Sequence, residues 1–316
     1  MAINPTAWSD YIGQERMKSQ LETYMDAAIE DKRMLSHVLL VADPGYGKTT
    51  LAKLISRYMG DPFQPYMMPL KRPDMLRALR RGEGYILFFD ELHRLSKSGQ
   101  EDLFTVLDEG YFQDGINRVP TEDLTIIGAT TEPQDLVEPI FRRFHIKPSF
   151  DPYTDDELAL VALNMASSLE LDLDPSLAGS IAKAAAGSPS QVEILVRAAR
   201  DLRETSAIEP VLGLTGITPE GLTREHLEYL RLVERNGPIG IELIGSTLRH
   251  GKGYILGLER TLDKLNLIER TSRGRQLTNK GISLTRKGTN NATSTHQRSD
   301  SATRTHLSGR ESRRGS

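Results

Sequence analysis

The stretch "LLVADPGYGKTTLAKLI", Leu39 to Ile55, restricts the fold more than any other part of the sequence. An apolar run, a glycine-bearing loop and Gly47-Lys48-Thr49 at the head of a helical pattern read as strand, phosphate-binding loop and helix. Such a loop turns free backbone N–H groups and the positive end of a helix dipole toward an anion. Gly45 and Gly47 let the backbone approach closely, and Tyr46, between them, and Thr50 are further candidate ATP-binding residues. Lys48 would reach the terminal phosphates of ATP, and Thr49 would help hold Mg²⁺. Ala42 occupies the first glycine of the pattern G-x-x-x-x-G-K-[ST], at a strand end where a negative φ would let alanine serve.

The surrounding pattern extends this unit. The runs "VLLVA", "YILFFD" and "LTIIGATT" are continuously apolar, as in strands buried on both faces of a parallel sheet. Their polar carboxyl ends are expected to converge on one crevice. "YILFFDELHRL" delivers Asp90, suited to the Mg²⁺ shell through water, and Glu91, placed to activate an attacking water. Adjacent carboxylates at a strand end also serve as helix caps, a reading the phosphate loop outweighs.

After Asp151-Pro152 helix follows helix, with Thr154 and Asp174-Pro175 as cap and first-turn residues. Residues 223–282 give three helical patterns, then two short strands around Gly274, the order of a winged helix. Arg270, Arg273 and Arg275 flank that turn and are the candidate DNA-binding residues. A winged helix used for protein contacts is the alternative. The expected division is a nucleotide-binding α/β domain at 1–150, a helical lid at 151–219, a winged helix at 220–282 and a disordered tail at 283–316, rich in Ser, Thr and Arg.

Charge follows the same division. Residues 1–219 carry 22 Lys and Arg against 33 Asp and Glu, residues 220–282 carry 11 against 8, and residues 283–316 carry 7 against 2. A basic C-terminal third on an acidic body points to a polyanion there, or to a solvated tail. Cysteine is absent from the 316 residues, which excludes disulfides and thiolate-bound metals. No apolar run approaches membrane-spanning length and no leader pattern opens the chain, so a cytoplasmic protein without membrane contact is expected.

The ordered segments "YIGQERMKSQL", "PGYGKTTLA", "ILFFDELHRLS", "IIGATTEP", "IFRRF", "YTDDEL", "GSPSQVEILVRAARD" and "IERTSRGRQLT" resemble the RuvB family, over about residues 8 to 280. The resemblance implies an AAA+ P-loop fold with a helical lid and a C-terminal winged helix, assembled as a homo-oligomeric, hexameric ring. It implies ATP-driven branch migration of four-way junctions in double-stranded DNA. It also implies that Tyr11 and Ile12 line the adenine pocket and that Tyr153 lies beside the nucleotide. Thr131 would sense the γ-phosphate, and Arg143 would be the arginine finger reaching a neighbouring subunit's nucleotide. "RTSRGR" resembles the family's "RTPRGR" wing, which singles out Arg270 and Arg275 as the leading DNA contacts.

Two departures from the family bear on mechanism. Ser190 stands where the family has a second phosphate-sensing arginine, and it offers a hydrogen bond without charge. Slower or less DNA-coupled hydrolysis is expected, and Ser190→Arg is expected to raise turnover in a steady-state ATPase assay. The segment "LDEGYFQDGINRVPTEDL" is short where the family carries a hairpin for its RuvA partner. Little room for a hairpin is expected there, so a different partner, or loading without one, is expected, and a RuvA-like partner is left open. Two other readings of the chain are a nucleotide-switched loader or scaffold and a winged-helix regulator with a vestigial ATPase.

Overall fold

The computed structural model describes residues 5–81, 84–121 and 123–286. The described chain forms two compact units that meet between Thr215 and Gly216. The first contains a parallel sheet in the order β2 (Phe63–Met67), β3 (Tyr85–Asp90), β6 (Leu124–Thr130) and β1 (Val38–Val41). Beyond β1, Ile146 and Ser149 bridge in parallel to Val38 and Val41 and extend the sheet.

The continuous apolar runs are explained by the two faces they serve. Val38, Leu40, Ile86, Phe88, Ile127 and Ala129 turn to one core with α1 (Glu15–Glu30) and α2 (Lys48–Met59). Leu39, Leu87, Phe89 and Ile126 turn to the other, with Leu103 of α4 (Lys97–Glu109) and Phe144. Residues alternate in side but not in polarity, because helices cover both sides. Each large apolar side chain so buried is worth about 1.5–3 kcal/mol over its exposed state. The edge strand β2 escapes this pattern: "FQPYM" is mixed, and Pro65 is tolerated because among the described residues no strand pairs on its outer side.

The segment expected to lack room for a hairpin holds one. β4 (Tyr111–Asp114) and β5 (Asn117–Pro120) pair antiparallel across the two residues Gly115 and Ile116. Gly115 has φ +62°, the glycine that a two-residue hairpin loop needs at its first central position. The hairpin needs only ten residues because its turn is minimal. Arg80 and Arg72, both on α3 (Arg72–Arg80), brace it from outside: Arg80 reaches Asp114 at 2.8 Å, and Arg72 lies over Phe112.

The lid of the first unit is α6 (Asp155–Ser168), α7 (Pro175–Ala184), α8 (Pro189–Leu202) and α9 (Ile208–Thr215). Thr154 Oγ1 accepts the Glu157 N–H at 3.2 Å and Glu157 Oε2 accepts the Thr154 N–H at 2.7 Å, a reciprocal cap. Asp174 accepts the Ser176 N–H at 2.7 Å. Among the described residues no helix is long and apolar enough to cross a membrane.

The second unit packs α10 (Arg224–Asn236), α11 (Ile241–Leu248) and α12 (Lys252–Lys264) around Leu230, Ile244, Ile255 and Leu262, with β7 (Ile268–Thr271) and β8 (Gly274–Leu277) as the wing. A terminal helix occupies 279–286, and the tail from 287 onward lies outside the described residues. His226 is buried, and its Nδ1 accepts the Thr223 N–H at 3.1 Å to cap α10. Burial, opposed weakly by Glu225, pushes its pKa from 6.5 down to about 4. The folded state keeps this imidazole neutral while the unfolded chain protonates below 6.5, so its contribution is full above 6.5 and is lost as pH falls toward 4. The loss is on the order of 2–3 kcal/mol. Thermal unfolding between pH 7 and 4 should show a steeper decline for wild type than for His226→Gln, which keeps a cap acceptor but does not titrate.

Candidate nucleotide site and winged-helix surface

The phosphate loop follows β1 directly, and its left-handed positions are Gly45 at φ +82° and Gly47 at φ +81°. Ala42 is not among them, so an L-residue fits there without strain. Gly47 caps α2, whose first residue is Lys48. The Lys48 side chain is buried and its Nζ donates to the carbonyls of Ala42 at 2.8 Å and Asp43 at 3.1 Å. Thr49 and Thr50 follow on the first turn of α2, both half-buried.

Asp90 and Glu91 stand at the end of β3, as the strand pattern implies. Burial first, and the neighbouring Glu91 second, raise the Asp90 pKa above the ordinary carboxylate value, while Lys48 acts in the opposite sense. Glu91 adopts φ +54°, a strained conformation for a non-glycine residue. Its Oε2 accepts from Thr131 Oγ1 at 3.0 Å and lies 3.2 Å from His93 Nδ1. His93 Nδ1 also meets Thr130 Oγ1 at 3.0 Å, so the carboxylate is oriented from the end of β6, directly by Thr131 and through His93 by Thr130.

A cavity of about 390 Å³ opens beside the loop, lined by Tyr11, Ile12, Gly47, Thr50, Tyr153 and Met165 among others. This falls within the range of about 300–1,000 Å³ typical of small-molecule sites. The Tyr11 hydroxyl is buried there without a hydrogen-bond partner, and burial, then Tyr153, hold its pKa well above the ordinary value. Tyr46 and Tyr153 face each other with ring centroids 6.0 Å apart.

The lid closes on this loop. The Ser190 N–H donates to the Gly45 carbonyl at 3.3 Å, and Ser190 Oγ lies 3.2 Å from Ser188 Oγ. A methyl group on Gly45 would meet the Ser190 hydroxyl, and its φ of +82° favours glycine there. Gln14, one residue the motifs do not expose, clamps the lid's entry: its Nε2 donates to the Asp151 carbonyl at 2.7 Å and its Oε1 accepts the Asp151 N–H at 2.8 Å. Gln14 and His93 lie within the quoted segments "YIGQERMKSQL" and "ILFFDELHRLS", but spacing does not reveal their contacts with Asp151 and Thr130, which are distant in sequence.

Arg143 ends the short helix α5 (Glu138–Arg143), where its Nε meets Asp108 Oδ1 at 2.9 Å and its guanidinium lies over Phe104. Arg142 pairs instead with Glu138.

In the second unit the three wing arginines have different surroundings. Arg273 sits in the exposed turn between β7 and β8, and its side chain meets no partner among the described residues. Arg270 bridges Asp263 at 2.7 Å and Glu259 at 3.1 Å. Arg275 is only 18% exposed, and its Nε donates to Glu259 Oε1 at 2.8 Å. Arg275, expected as a leading DNA contact, directs its guanidinium inward to the buried Glu259 carboxylate. Sequence spacing places it on the wing but cannot show that Glu259 faces the core.

A parallel sheet in this strand order, with a phosphate loop after β1, an acidic pair at the end of β3, its neighbour but one, and a helical lid, defines an AAA+ P-loop ATPase, here followed by a winged helix. Residues 3–150 match the family described as the Holliday junction DNA helicase RuvB P-loop domain, and residues 219–286 match the RuvB C-terminal winged helix domain. The chain belongs to the RuvB family. It is 34% identical over 304 residues to the Holliday junction branch migration complex subunit RuvB of Prochlorococcus marinus, covering 88% of this chain and 86% of that protein. The subunit of the same name from Ehrlichia ruminantium is 32% identical over 312 residues, covering 92% and 94%. Among solved structures, the Thermotoga maritima RuvB Holliday junction branch migration motor superimposes with a TM-score of 0.80 at 29% identity, covering 89% of this chain and 97% of that one. The P216G variant of the same protein gives 0.82 at 28% identity, with the same coverage.

Proposed function

We propose that this ATPase is a ring motor, a homo-hexamer, that couples ATP hydrolysis between neighbouring subunits to movement of duplex DNA through four-way junctions in recombination and repair. The observation that carries the ATPase half is the Glu91 carboxylate, held by Thr131 and His93 at the strand end beside the Lys48 loop. The names of its relatives support the junction as substrate.

In this reading the adenine and ribose occupy the cavity at Tyr11, Ile12 and Tyr153, where the unpartnered Tyr11 hydroxyl awaits a polar group. Gly45, Tyr46, Gly47 and Thr50 shape the loop around the phosphates, and Lys48 exchanges its two carbonyl partners for phosphate oxygens. Thr49 and Asp90, the latter through water, fit Mg²⁺: both offer oxygen, and burial and Glu91, which raise the Asp90 pKa, leave its carboxylate a site that a cation would favour. Among the described residues no cluster of three or more His, Asp or Glu could hold a metal unaided, consistent with an ion shared with the phosphates. Bound Mg²⁺ would neutralise charge on the β- and γ-phosphates. Glu91 accepts the proton of the attacking water, and Thr131 links its carboxylate to the γ-phosphate. Arg143 serves the next subunit's nucleotide. Its exposed pair with Asp108 contributes only about 0–1 kcal/mol, so release into a subunit interface is not prevented.

The hairpin ends in Ile116, 97% exposed, which supports docking of a RuvA-like partner and removes the reason to expect its loss. A loader or scaffold with weak hydrolysis is favoured only by Ser190, a neutral contact of lid and loop.

The test is ATP turnover together with dissociation of four-way and linear DNA, comparing wild type with Glu91→Gln. The motor reading expects ATP-dependent junction dissociation by wild type alone. Equal turnover by the two proteins would overturn it.

A further inference from the structure

Against the wing lies a buried charge that the nucleotide site does not explain. Glu259, on α12, has a side chain that is 0% exposed. Its Oε1 accepts from Arg275 Nε at 2.8 Å and from the Tyr229 hydroxyl of α10 at 2.9 Å. Its Oε2 accepts from Arg275 Nη2 at 3.3 Å and lies 3.1 Å from Arg270 Nη2. One carboxylate thus joins α10, α12 and both strands of the wing.

The main chain of Arg275 is fixed as well: its N–H donates to the Ile239 carbonyl at 2.8 Å, and its carbonyl accepts the Ile239 N–H at 3.0 Å. A guanidinium in this position cannot turn outward to a phosphate without leaving Glu259 buried and short of its main partner. Such removal of one member of a buried pair is strongly unfavourable. The hydrogen bond to Glu259 also holds the Arg275 pKa above its ordinary value.

Arg273 is the opposite case, exposed at the two-residue turn and free of any carboxylate among the described residues. We propose that the arginines of the wing have separate roles, with Arg275 and Glu259 forming a positioning pair that fixes the wing against α12 and Arg273 making the phosphate contact. Arg270 is intermediate, 51% exposed and held by both Glu259 and Asp263. The assignment rests on the reading of the winged helix as a duplex-binding unit.

The experiment measures duplex affinity of the full chain across salt concentrations, with thermal unfolding in parallel, for wild type, Arg273→Ala, Arg275→Met and the double variant Glu259→Gln/Arg275→Met. Removing one phosphate contact lowers the slope of log affinity against log salt by about 0.9 for each subunit engaged. Arg273→Ala should show that drop with unchanged unfolding. Arg275→Met should lower the melting temperature. The double variant, in which no buried charge is stranded and Gln still accepts from Tyr229, should regain melting temperature and keep the wild-type slope.

A slope reduced by about 0.9 in the double variant would mark Arg275 as a phosphate contact and overturn the assignment alone, as would a wild-type slope in Arg273→Ala. A wild-type chain that binds no duplex at any salt concentration would overturn the DNA reading itself, and the assignment with it.

Discussion

Arg143→Ala is expected to lower ATP turnover by about 10³- to 10⁵-fold, the range spanned by arginine fingers in phosphoryl transfer. Nucleotide affinity of the altered subunit should stay near wild type, because within its own subunit Arg143 pairs with Asp108 and lies over Phe104. In the proposed ring the effect would belong to the neighbouring subunit's nucleotide. A planar guanidinium with several donors can spread the charge that develops on the transferring phosphoryl group, which a lysine's point charge does less well. Mixing Arg143→Ala subunits with Glu91→Gln subunits provides the decisive measurement. At an interface where the first supplies Glu91 and the second supplies Arg143, a complete site is rebuilt, and turnover should recover to a fraction set by the mixing ratio. Turnover that stays at the level of the separate variants would mean that Arg143 acts within its own subunit, or not at all.

Glu91→Gln is expected to reduce turnover by about 10²- to 10⁴-fold with ATP binding retained. The amide is isosteric and can still accept from Thr131, so the 3.0 Å hydrogen bond that orients the group survives while its basicity disappears. ATP should therefore persist on the protein, and junction dissociation should stop with it. Single-turnover hydrolysis and filter-bound ATP measured on the same sample separate the two effects. A variant that hydrolyses ATP at the wild-type rate would shift the role of base to another group, with His93, 3.2 Å from the carboxylate, the nearest candidate.

Much of the nucleotide site is legible in the sequence because its parts are local. Gly45, Gly47, Lys48 and Thr49 lie within one turn of chain, and Asp90 and Glu91 end one strand, so spacing alone places them. The ordered motifs then point to the family, and the matches to both RuvB domains agree. The hairpin escapes such reading because its economy lies in one backbone angle, φ +62° at Gly115, which residue counting does not reveal. The strand β2 escapes it because its edge position relaxes the apolar pattern that marks the central strands. Arg275 reads as a surface cation because its basic neighbours are continuous in sequence, whereas its partner Glu259 lies 16 residues away.

By itself the sequence determined the local chemistry: a phosphate loop, an acidic strand end, a capped helical lid and a basic wing, each encoded in residues close along the chain. Only the tertiary structure decided which polar groups face one another. It set Ser190 on Gly45, Thr131 on Glu91, Gln14 on Asp151 and Arg275 on Glu259. These pairs join segments far apart in the chain, and whether a charged side chain points to water or to a buried partner depends on burial. Burial is a property of the packed fold rather than of any local pattern.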